Sequence, residues 1–210
     1  MTRRRALLLS ALLPLAACAE LSRPNLPQPA PAGLLPPGVD PGRAAIAALA
    51  QDLRGANGGI PGDPARVARA AALLEWLAVE LVSNPRWAPV PGDARAGIAL
   101  ARDEMRGALG ADPLAASPRM TAALASAYRA LSAGDRSLAA ASLPRALFPR
   151  GGEAVLARLA DPGPLPQGEI ASGALADRVR ALDETNGWAA DFGTPIPPER
   201  GGRGSLPFGI

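Results

Sequence analysis

The sequence predicts an all-α fold, a single alanine-rich bundle of about five to seven helices between a proline-rich start and a disordered end. Three observations predict it. Apolar residues recur at i, i+3, i+4 and i+7 in segments opened by Asp-Pro or Ser-Pro pairs, the spacing of one buried helical face. No segment sustains two-residue alternation with β-branched side chains, which strands require. Alanine dominates the helical stripes while aromatic residues make up 3%, so helices can approach closely with little bulk between them.

The elements follow in order. Ala19–Val39 holds prolines at 24, 27, 29, 31, 36 and 37, which break helices and favour extended polyproline II. About 20 such residues at 3.1 Å each make a tether of ~60 Å. Asp40-Pro41 supplies an N-cap and a proline at the first helical position, where its missing N–H costs nothing. Ile46, Leu49, Ala50 and Leu53 share the face that follows, and Gly55 and Asn57-Gly58-Gly59 end the helix.

Asp63-Pro64 opens the longest segment, to about Ser83. Val67, Leu73, Leu74, Trp76, Leu77, Val79, Leu81 and Val82 leave only Arg66, Arg69, Glu75 and Glu80 strongly polar in it. A helix apolar nearly all round belongs at the centre of its domain. Asp93 caps a third helix to Leu109, with Ile98, Ala101 and Met105 inward and Gly110 beyond its end. Ser117-Pro118 starts a fourth, closed by Gly134, with Leu124, Tyr128 and Leu131 on one face.

Shorter pieces are expected at Arg136–Ser142, Pro144–Phe148 and Glu153–Ala160. The last helix, Ile170–Thr185, turns Leu175, Val179 and Leu182 inward. Asn186-Gly187 fits a left-handed C-cap that folds Trp188 back on Leu182. Asp-Pro stands at 63, 112 and 161, evenly spaced, but the flanking residues share little beyond alanine, which favours one domain over a repeat array. The expected organisation is residues 1–17, then 18–39, a helical domain over 40–192, and a tail over 193–210.

Composition excludes much chemistry. The chain has no His and no Lys, so Ser-His-Asp and Cys-His catalysis, imidazole metal sites, Schiff bases and phosphate-loop lysines are all missing. No cofactor or metal is expected. Three of the 22 basic residues are Arg3, Arg4 and Arg5, which leaves 19 against 19 acidic ones in the rest of the chain. Without an overall basic excess, nucleic acid is not an expected partner.

The first 18 residues say most about function. Arg3–Arg5 precedes Ala6–Ala17, an apolar run too short to span a bilayer, which is the layout of an export signal. Leu15-Ala16-Ala17-Cys18 then resembles the lipobox of bacterial lipoproteins, and Cys18 is the chain's one cysteine. The resemblance implies cleavage between Ala17 and Cys18, diacylglycerol on the Cys18 thiol, and acylation of the new amino group. Two or more chains hold firmly where one binds reversibly. Ala19, in place of the aspartate tied to inner-membrane retention, favours the outer membrane. Arg4-Arg5-Ala6-Leu7-Leu8 also resembles a twin-arginine signal, which leaves the export route open.

Two function classes remain for the domain. The favoured one is a non-catalytic envelope module that binds an envelope protein or serves a structural role. The alternative is a carboxylate-dependent cell-wall hydrolase, with Glu75 or Glu80 beside Trp76 as the acid or base that burial would tune. Five residues place the two carboxylates about 140° apart on the helix, so they do not converge. Glu80 lies near the meridian of Arg69 and would pair with it. Trp87 among prolines is either a partner anchor or a lid on the core edge. Pro149-Arg150-Gly151-Gly152-Glu153 could form a small anion-binding turn.

Overall fold

Aspartate and proline set where the first helices begin. Asp40 accepts a hydrogen bond from the Arg43 amide (2.7 Å) and Asp63 one from the Arg66 amide (2.9 Å), each followed by proline at the first helical position. The structure is a computed structural model and describes residues 28–188. The expected signal peptide over 1–17, the expected cleavage between Ala17 and Cys18, residues 19–27 and the expected tail over 193–210 lie outside the described residues.

Among the described residues there are seven α-helices and no strand. They are α1 (Pro41–Asp52), α2 (Pro64–Ser83), α3 (Gly92–Leu109), α4 (Ser117–Ser132), α5 (Arg136–Ala141), α6 (Gly152–Ala160) and α7 (Pro166–Glu184). Single 3₁₀ turns lie at Ala56–Gly58 and Pro85–Trp87. Among the described residues, no helix is long and apolar enough to cross a membrane.

Helix α2 is the axis of the bundle and packs on α1, α3, α4 and α6. Its residues from Val67 to Leu81 are buried except Arg69 and Val79, as its near-continuous apolar sequence requires. Leu73, Leu74, Leu77 and Leu81 are each sealed from solvent, and burial of such a side chain stabilises by about 1.5–3 kcal/mol. Val82 departs from the pattern and points outward. Helix α7 closes the other side by packing along α3 and against α1.

Several boundaries differ from expectation. Helix α7 starts at Pro166 rather than Ile170, and Asp93 stands in the first turn of α3 rather than at its cap. Pro144–Phe148 is a hydrogen-bonded turn, not a helix, with the Leu147 and Phe148 amides both on the Pro144 carbonyl. The three evenly spaced Asp-Pro pairs, at 63, 112 and 161, do not mark a repeat. Asp63 caps a helix, whereas Asp112 and Asp161 lie in loops and accept from amides two residues on.

The expected tether is docked over its second half. The Gln28 carbonyl accepts from Trp76 Nε1 (3.1 Å), the Ala32 carbonyl accepts from Arg129 (2.9 Å), and Leu34 is buried in the core. Proline removes amide donors from this segment, so its exposed carbonyls are free to take side-chain donors from α2 and α4.

Candidate functional site

The two carboxylates of α2 are both buried, and the one cavity that Glu75 lines among the described residues is only about 10 Å³. Arg106, in the last turn of α3, meets Glu75 as a two-pronged fork, with Nε on Oε1 at 2.5 Å and the second prong on Oε2 at 2.6 Å. The same guanidinium donates to the Pro113 carbonyl (2.8 Å) and to Ser117 Oγ (3.2 Å). The hydrogen bond to Glu75 raises the Arg106 pKa above its ordinary value, against the opposing effect of burial. A general acid must present its proton to a substrate. Both oxygens of Glu75 are instead filled by one sealed guanidinium, and the group works as a brace between α2, the end of α3 and the start of α4.

Glu80 does not pair with Arg69. The two share a meridian, but 11 residues along a helix is about 16 Å, beyond side-chain reach. Arg69 instead forks onto Asp52 in the last turn of α1, at 2.7 and 2.5 Å. That bond holds the Arg69 pKa above its ordinary value. Glu80 turns to the following loop, where its Oε1 accepts from Asn84 (2.8 Å) and from Trp87 Nε1 (3.1 Å). A carboxylate on an apolar helix thus seats a tryptophan that the chain brings back seven residues later.

Trp87 is 1% exposed and serves as a lid on the core rather than as an exposed anchor. Its ring occupies space that only Gly42 leaves free, since a Cβ there would collide with both Trp87 and Arg86. Trp188 meets it edge-on, with centroids 5.7 Å apart and planes at 72°. Asn186 takes the expected left-handed conformation (φ 52°), and it is this bend that precedes the Trp188–Trp87 contact.

Charged groups frame the ring pair. Arg86 stacks on Trp87 at 4.4 Å and Arg43 on Trp188 at 4.6 Å. Asp183 accepts from Arg43 (2.6 Å) and from Trp188 Nε1 (2.7 Å), and Asp40 accepts from Arg86 (2.5 Å). The Arg43 hydrogen bond holds the Asp183 carboxyl below its ordinary value. Burial pushes Asp40 up, but the Arg43 amide and the Arg86 guanidinium outweigh it and the net shift is downward. The cluster clamps the start of α1, the α2–α3 loop and the end of α7 together.

Gly151-Gly152 has a packing explanation. Gly151 is left-handed (φ 83°), and a Cβ on Gly152 would strike the Ala140 carbonyl, so the pair lets α6 start hard against α5. Among the described residues, no group of three or more His, Cys, Asp or Glu side chains could hold a metal ion. Sequence reasoning missed Arg106, Asp52, Asp40 and Asp183 as partners. All four act across helix contacts, for which a single sequence carries no local signal. No family model, curated protein or solved structure matches the chain.

Proposed function

We propose that the protein is a lipid-anchored module of the bacterial cell envelope that acts by holding and contacting rather than by catalysis. The observation that carries this reading is Cys18, a lone cysteine placed directly after a basic head, an apolar run and Leu15-Ala16-Ala17. Acylated Cys18 is the membrane attachment, and Ala19 favours the outer membrane. Docking of the chain from Gln28 onward supports a short arm. Residues 19–27 reach at most about 30 Å, so the domain stays near the lipid surface. The braced states of Glu75 and Glu80 support a non-catalytic role over a wall hydrolase.

The test is the intact mass of protein from the membrane fraction. A chain that begins at Cys18 and carries diacylglyceryl and acyl groups is expected, and Cys18→Ala should leave an unprocessed precursor. A Cys18→Ala protein that is trimmed and membrane-bound like wild type overturns the anchor. Release of muropeptides from peptidoglycan by wild type, lost in Glu75→Gln or Glu80→Gln, overturns the non-catalytic reading.

A further inference from the structure

We propose that an open cavity of about 570 Å³ between the end of α1 and the start of α2 is a binding site for a phosphate group. Its lining is Gln51, Asp52, Arg54, Asp63, Arg66 and Arg69, with no apolar side chain among them. That composition rejects acyl chains and aromatic ligands, while the volume lies in the range of small-molecule sites, roughly 300–1,000 Å³.

Three guanidinium groups line it against two carboxylates, one of which is already in an ion pair. Asp52 is taken by the fork from Arg69. Asp63 has one oxygen on the Arg66 amide as the cap of α2. Arg66 is positioned by its own contacts, since one terminal nitrogen donates to the Gln51 and Arg54 carbonyls at 3.2 Å each, at the carbonyl end of α1. Its remaining N–H groups, and those of the Arg54 side chain, have no acceptor among the described residues, and neither residue is in an ion pair there.

Solvent-facing guanidinium donors around a polar cavity whose lining has three arginines and two aspartates suit an acceptor-only ligand that displaces their water. A tetrahedral phosphate offers several oxygens to the three arginines that line the cavity, whereas a carboxylate offers two in one plane. The source is either a soluble phosphate ester or a lipid headgroup, and the site does not depend on Cys18.

The experiment is calorimetric titration of the full-length chain in nonionic detergent with inorganic phosphate, next to acetate and chloride at equal ionic strength. Saturable binding of phosphate, tighter than acetate, is expected, together with a rise in the unfolding midpoint. Arg54→Gln should weaken it about tenfold without lowering the midpoint of the ligand-free protein, because Arg54 is exposed and holds no partner among the described residues. Arg66→Gln should weaken binding as well, and Arg180→Gln on α7 should not. Repetition in micelles doped with phosphatidic acid separates the sources. Competition assigns a headgroup, and undiminished phosphate binding assigns a soluble ester. An equal response to chloride or acetate, or full affinity in Arg54→Gln, overturns the site.

Discussion

Glu75 and Arg106 illustrate what a buried charge does in this bundle. Each neutralises the other at 2.5–2.6 Å with almost no solvent contact, so the pair is needed only because both members are present. Removal of one partner strands the other, which costs about 3–5 kcal/mol, whereas replacement of both by apolar residues of similar volume is near neutral or stabilising. Glu75→Gln should therefore lose most of that amount in urea unfolding, and Glu75→Leu with Arg106→Met should recover it. A catalytic Glu75 would show the opposite economy, with little stability lost and activity removed. Equal destabilisation in the single and double variants would refute the brace. The same reasoning sets the limit of the sequence at this scale. An arginine at the end of an amphipathic helix ordinarily reaches water, and nothing around Met105-Arg106-Gly107 shows that this one is turned inward.

Helix starts divide into those written locally and those supplied from elsewhere. Asp40, Asp63 and Asp135 each accept from the amide three residues on, so α1, α2 and α5 were legible from their own residues. The start of α7 was not. Its Gln167 and Gly168 amides are capped by Glu104 of α3, at 3.1 and 2.8 Å, and a cap from another helix leaves no trace in the neighbouring sequence. Glu169 likewise reaches across to the Gly55 and Asn57 amides, at 2.8 and 2.9 Å. The central place of α2 was legible because it depends only on how much of one segment is apolar. The three evenly spaced Asp-Pro pairs, at 63, 112 and 161, give a test with near-identical chemistry. Asp63→Ala removes a helix cap and should cost about 1 kcal/mol of stability, read as a lower urea midpoint. Asp112→Ala and Asp161→Ala open only loop turns and should stay within about 0.5 kcal/mol of wild type. Equal losses at all three would restore the repeat reading.

The molecule is a histidine-free bundle whose helix ends are held by carboxylates, and this fixes how it responds to pH. With no His and no Lys, no side chain of ordinary pKa changes charge between about pH 5 and 8. Among the described residues the carboxyls with depressed values are Asp40, Asp183 and Glu169. Glu169 is lowered by the Asn57 and Gly55 amides from an ordinary 4.5, and Asp183 by Arg43 from an ordinary 3.8. A carboxyl whose pKa is lower in the folded state adds stability above its unfolded value and loses it as pH falls through the folded one. The unfolding midpoint should therefore be level from about pH 8 to 5 and decline below about 4.5, as Glu169, Asp183 and Asp40 protonate. Protonation of Asp183 removes the charge that holds Arg43 and weakens the oxygen shared with Trp188 Nε1, so the Trp188 edge contact on Trp87 loosens. Tryptophan emission should shift to the red over the same acid range. Asp183→Asn, which cannot form the ion pair with Arg43, should show part of that shift already at pH 7. A stability transition between pH 5 and 8 would contradict the assignment. An unchanged emission profile in Asp183→Asn would show that the clamp at the end of α7 rests on the ring contact alone.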